Sequence, residues 1–68
     1  MNEETFNNSL RKFLKTLGVG AQREIEKAVR QALADGHLKG SEKLPTVATI
    51  TIGALRFTHE VNGAIELE

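Results

Sequence analysis

The chain has 68 residues, with nine basic and nine acidic side chains, no cysteine, and three phenylalanines as its only aromatic residues apart from histidine. That length predicts one domain, near the lower limit for a core that folds unaided. Zero formal net charge removes the broad electrostatic case for nucleic acid or an anionic membrane, and the lack of cysteine excludes a disulfide framework and a thiolate metal site.

Taken in order, Asn2 is a good N-cap, with Glu3 and Glu4 in the first turn where the helix dipole favours negative charge. Phe6, Leu10, Phe13, Leu14 and Leu17 recur at helical spacing, with Arg11, Lys12 and Lys15 turned away. This predicts a helix over about 3–17. Gly18 reads as its C′ stop, and Gly18, Val19 and Gly20 as a tight link to a second helix over about 21–35. The second helix, AQREIEKAVRQALA, is the most strongly periodic stretch. Ala21, Ile25, Ala28, Val29, Ala32 and Leu33 share one side, while Arg23, Lys27 and Arg30 share the other. Asp35-Gly36 ends it, since glycine takes the left-handed C′ conformation without a Cβ penalty.

Residues 36–45, GHLKGSEKLP, break the pattern with two glycines and a proline and read as a loop. Beyond them the period changes to two. Ala48, Ile50 and Ile52 alternate with Val47, Thr49 and Thr51, predicting a strand over about 47–52 with the first set inward. A two-residue Gly53-Ala54 turn would set Ile52 opposite Leu55, Ile50 opposite Phe57 and Ala48 opposite His59, giving a strand over about 55–60. A three-residue Val61-Asn62-Gly63 loop would then start a strand over about 64–67. It pairs His59 with Ile65 and Phe57 with Leu67, and keeps both apolar residues on the side of Phe57. The expected fold is a single α+β domain, residues 1–68. It has two layers in the order α-α-β-β-β, a helical hairpin packed on one face of a three-stranded antiparallel meander.

Candidate chemistry is sparse. Two helices joined by a glycine link invite a helix-turn-helix reading, with Arg11, Lys12, Lys15, Arg23, Lys27 and Arg30 as a nucleic-acid face. The apolar positions that motif needs after its turn glycine are not met from Gly18 or from Gly20, so nucleic-acid binding is the alternative reading rather than the leading one. His37 and His59 have no metal-ligand spacing and no cysteine to assist them, so no metal is expected. GHLKGSEK lacks the phosphate-loop spacing and follows a helix instead of a strand. Neither Ser9 nor Ser41 sits in a nucleophile elbow. A chain this small also leaves little room for a substrate pocket of a few hundred Å³. No catalytic residue, no cofactor and no small-molecule substrate are expected, and the chain reads as a non-enzyme.

What remains is a threonine-rich outer sheet face, with Thr49, Thr51, Arg56 and Thr58 as a candidate partner face. A protein partner or self-association is the leading expectation, because either would add buried surface to a small core. No apolar run approaches the roughly 20 residues of a membrane-spanning helix, and the acidic opening MNEETF is unlike a signal peptide. A cytoplasmic location is expected.

The strings RKFLKTLGVGAQREIEKAVRQALADGHLKG and LPTVATITIGALRFTHEVNGAIELE resemble a family of short bacterial proteins, mostly proteobacterial, known as a domain of unknown function. The resemblance spans essentially the whole chain, and GV-x-x-QREIEKAVR-x-AL is its most specific part. It implies a small stand-alone cytoplasmic protein and carries no activity and no site residues.

Overall fold

The computed structural model describes all residues, 1–68. Its elements are a helix α1 over Glu3–Ala34, a strand β1 over Lys43–Ile52, a short 3-10 turn over Gly53–Leu55, and a strand β2 over Phe57–Glu66. They divide into two compact units, residues 1–37 and 38–68.

The first unit is one helix of 32 residues. This overturns the expected helical hairpin, because Gly18, Val19 and Gly20 continue the helix. The reason lies in the backbone. Breaking the helix there would orphan carbonyls on one side and N–H groups on the other. No Ser, Thr, Asp or Asn stands directly before Ala21 to cap a new start. Each helical glycine costs about 1 kcal/mol relative to alanine, and against that the continuous helix keeps the intrahelical bonds that a break at 18–20 would give up. The true ends, by contrast, are well capped. The Asn2 side chain accepts from the Thr5 N–H at 3.0 Å. At the other end, Gly36 takes a φ of +79°, and the Gly36 and His37 N–H groups donate to Leu33 and Ala32. That pair of bonds is a Schellman ending.

The second unit is a two-stranded antiparallel hairpin, not a three-stranded meander. β1 and β2 pair along ten positions from Lys43↔Glu66 to Ile52↔Phe57. Val61, Asn62 and Gly63 form no turn; they lie in β2 opposite Ala48, Val47 and Thr46. Leu44 and Pro45, expected in a loop, lie near the start of β1. The straight-through strand wins because it pairs β1 along its whole length, whereas a turn at 61–63 would leave Lys43 to Ala48 without their partners in β2. Pro45 is tolerated because both strands of a two-stranded ribbon are edges.

The reversal also differs from the expected two-residue turn. Gly53, Ala54, Leu55 and Arg56 make a four-residue loop. Its last residue is left-handed, with φ 51° and ψ 34°, and the Arg56 N–H donates to Gly53 at 3.1 Å. Ile52 therefore faces Phe57, and Ile50 faces His59. The register is displaced by two, so the expected strand residues that remain in the strands keep their expected faces.

Neither unit contains a fully buried side chain. Val29, Ala32, Leu44, Ile50, Ile65 and Leu67 are half-buried, and Phe6, Leu10, Phe13, Leu14, Leu17, Ile52, Phe57 and Val61 are exposed.

Candidate interaction surfaces

On α1, the two sequence stripes join into one. Phe6, Leu10, Phe13, Leu17, Ala21, Ile25, Ala28 and Ala32 follow one another at steps of three or four along the unbroken helix. Leu14, Val29 and Leu33 widen it on one flank. Phe13 is 53% exposed and Leu10 43% exposed, so the stripe meets water over much of its length. The six cations singled out for nucleic acid, Arg11, Lys12, Lys15, Arg23, Lys27 and Arg30, all lie on this helix, broadly opposite the stripe. They do not form a helix-turn-helix surface, since there is no turn. Lys27 pairs with Glu24 at 3.2 Å, both well exposed, a contact worth a fraction of a kcal/mol. No acidic residue stands three or four positions from Arg11, Lys12 or Lys15.

On the hairpin, residues directly opposite share a face. One face carries Leu44, Thr46, Ala48, Ile50 and Ile52 with Phe57, His59, Val61, Gly63 and Ile65. Phe57 and His59 stack there, ring centroids 6.4 Å apart. The other face carries Thr49, Thr51 and Thr58 of the candidate partner surface, beside Glu60 and Asn62. Thr51 stands directly opposite Thr58. Arg56 does not belong to this face: its left-handed position puts it in the reversal. Leu55 likewise leaves the expected apolar set for the loop, at 69% exposure. Leu44 and Val61 join the apolar face instead. Strand parity would have found both, had the loop over 36–45 and the break at 61–63 not been assumed.

The segment between α1 and β1 is organised by one carboxylate. Glu42 accepts from the backbone N–H groups of Lys39 at 2.8 Å, Gly40 at 2.9 Å and Ser41 at 3.1 Å. The bond from Lys39, followed by that from Gly40, holds the Glu42 carboxyl below its ordinary value, because both bonds favour the ionised form. Gly40, at φ +101°, allows the chain to curl its N–H groups inward. The ring is thus filled by the chain's own anion.

His37 is the residue after the helix stop, its N–H used in the Schellman bond to Ala32. His59 lies within β2. The two histidines take part in no cluster of three groups able to hold a metal ion. The depressions beside Val19, Gln22, Arg23 and Glu26, and beside Lys15, Thr16 and Gly20, are lined by α1 alone.

A family model matches residues 1–68. The chain belongs to the family of unknown function DUF6494. The match spans helix and hairpin together, so both units are parts of the DUF6494 sequence pattern, and the resemblance carried by the QREIEKAVR core is borne out. No curated protein and no solved structure matches the chain. No helix is long and apolar enough to cross a membrane.

Proposed function

We propose that this DUF6494 chain is a non-enzymatic interaction module of the cytoplasm that presents apolar surface to another polypeptide. The observation that carries the reading is the exposed stripe from Phe6 to Leu33 on a helix with no buried residue; the hairpin's apolar face likewise holds no fully buried residue. Monomeric proteins rarely expose contiguous apolar surface of this extent unless something docks on it. A two-stranded hairpin is also marginal by itself in water. Light scattering over a range of concentrations, together with affinity capture from a native lysate, tests the reading. A strict monomer that recovers no polypeptide overturns it.

The second reading, weak nucleic-acid binding, is favoured by Arg11, Lys12 and Lys15, three cations without an acidic neighbour on their own helix. It requires binding that falls steeply with salt and weakens when Arg11 and Lys15 become alanine. Absence of binding to single- and double-stranded oligonucleotides at low salt ends it.

A further inference from the structure

The unbroken helix reveals a symmetry that two separate helices would hide. The steps between Phe6, Leu10, Phe13, Leu17, Ala21, Ile25, Ala28 and Ala32 are four, three, four, four, four, three and four. This central series reads the same from either end, about a midpoint between Leu17 and Ala21; the flanking Leu14, Val29 and Leu33 fall opposite Glu24, Ser9 and Thr5 and lie outside the symmetry. A helix with this pattern, turned end for end, presents its apolar positions at the same heights. That is the requirement of a two-fold contact, in which each residue meets a counterpart that meets it in return.

We infer that the stripe of α1 docks on the same stripe of a second copy of this chain, the two helices antiparallel. The inference rests on the interaction-module reading and names its partner. In the antiparallel register, Phe6 meets Ala32, Leu10 meets Ala28, Phe13 meets Ile25 and Leu17 meets Ala21. The amino-terminal half supplies the large side chains and the carboxy-terminal half mostly alanines, so large meets small along most of the contact and the interface can interdigitate. A parallel pair would crowd Phe6 on Phe6 at one end and leave Ala28 facing Ala28 at the other.

Charge does not choose between the orientations, since Arg11, Lys12 and Lys15 lie broadly opposite the stripe, and at the antiparallel heights Lys12 matches Glu26 while Arg11 matches Lys27 and Lys15 matches Arg23. Side-chain size decides the orientation. The helix dipoles also oppose in the antiparallel arrangement. Length argues for a helix as occupant. The stripe runs about 39 Å from Phe6 to Ala32 at 1.5 Å per residue, whereas ten strand residues span about 33 Å. A second copy of α1 matches the stripe along its whole run, which the somewhat shorter hairpin face does not.

Because the chain has no cysteine, single cysteines can be introduced without background. The L10C and A28C variants of the full chain are oxidised each alone and as a mixture, then resolved on a non-reducing gel beside light scattering of the unaltered protein. The expected result is a cross-linked species of twice 7.5 kDa in the mixture and almost none in either variant alone, since the two copies of position 10 lie about 27 Å apart along the pair. The unaltered protein then scatters as a dimer. Cross-linking of L10C with itself overturns the antiparallel pairing while leaving the interaction module standing. So does a monomeric unaltered chain that recovers a different polypeptide from lysate. A dimer that cross-links in neither the mixture nor the separate samples also overturns it, by placing the contact off the stripe.

Discussion

The helix and the hairpin solve the same problem in opposite ways. α1 satisfies its backbone within itself and needs only its two ends closed, by Asn2 and by the Schellman bonds at Gly36. At 32 residues it is well beyond the roughly 12–15 below which isolated helices are marginal. The hairpin satisfies its backbone only across a register, and both outer edges remain open. The helix is therefore secured by local chemistry and uses its side chains outward, while the hairpin is secured by non-local pairing. What they share is an apolar surface that neither covers from its own unit. The exposed apolar surface of this chain is the surplus of two elements that each complete a backbone without completing a core.

The sharpest way to break that comparison is to place a charge on one unit and ask which one associates. Leu17→Asp sets a carboxylate next to the middle of the antiparallel contact. It should weaken self-association roughly 100-fold or more, since an unpaired charge in an apolar contact costs several kcal/mol and each 1.4 kcal/mol is tenfold. Thr51→Asp, on the polar hairpin face, should leave association unchanged. Sedimentation of the two variants decides; a dimer that survives Leu17→Asp moves the contact to the hairpin.

Glycine substitutions sharpen the helix side. An added Cβ at Gly18 or Gly20 meets nothing within 4 Å, so Gly18→Ala and Gly20→Ala should each raise stability by about 1 kcal/mol. Gly36→Ala, at φ +79°, should lower it by about 1 kcal/mol despite equally open space, because the left-handed conformation penalises a Cβ. Thermal unfolding followed by helical circular dichroism reads both signs. A loss at Gly18 would mean that another chain occupies the space beside it.

The smallest expected effect lies in the connecting loop. The Glu42 carboxyl is held below its ordinary value in the folded chain, so its contribution is present above the ordinary carboxylate range and is lost as pH falls through the lowered folded value. Urea unfolding from about pH 6 to about pH 2 should show this acid loss in the parent and a flatter profile in Glu42→Gln. Identical profiles would mean that the three N–H bonds do not survive in solution.

Much of this was legible along the chain, and the failures are instructive. Asn2 and Gly36 announced the helix ends because caps are local chemistry. The apolar positions from Phe6 to Leu33 were all legible, yet they were split in two because Gly18 and Gly20 resemble a stop. The informative signal was a period that runs through the glycines in phase. In the hairpin, the faces of Ala48, Ile50, Ile52, Phe57 and Ile65 followed from alternation, and an error of two in register left them unchanged. The strand count did not follow. Asn62-Gly63 has the composition of a turn, and only the pairing of Thr46 with Gly63 shows that it is not one. Of the candidate partner face, Thr49, Thr51 and Thr58 lie together and Arg56 does not, because a four-residue reversal takes it out of the strand.

Side-chain periodicity alone determined which residues face together, since that depends only on the turn angle of a helix and the alternation of a strand. How many elements those faces belong to was decided by the three-dimensional structure. Whether a helix runs on through two glycines, or a strand through Asn62-Gly63, depends on where every backbone N–H and carbonyl finds its partner. For β2 those partners lie far away along the chain.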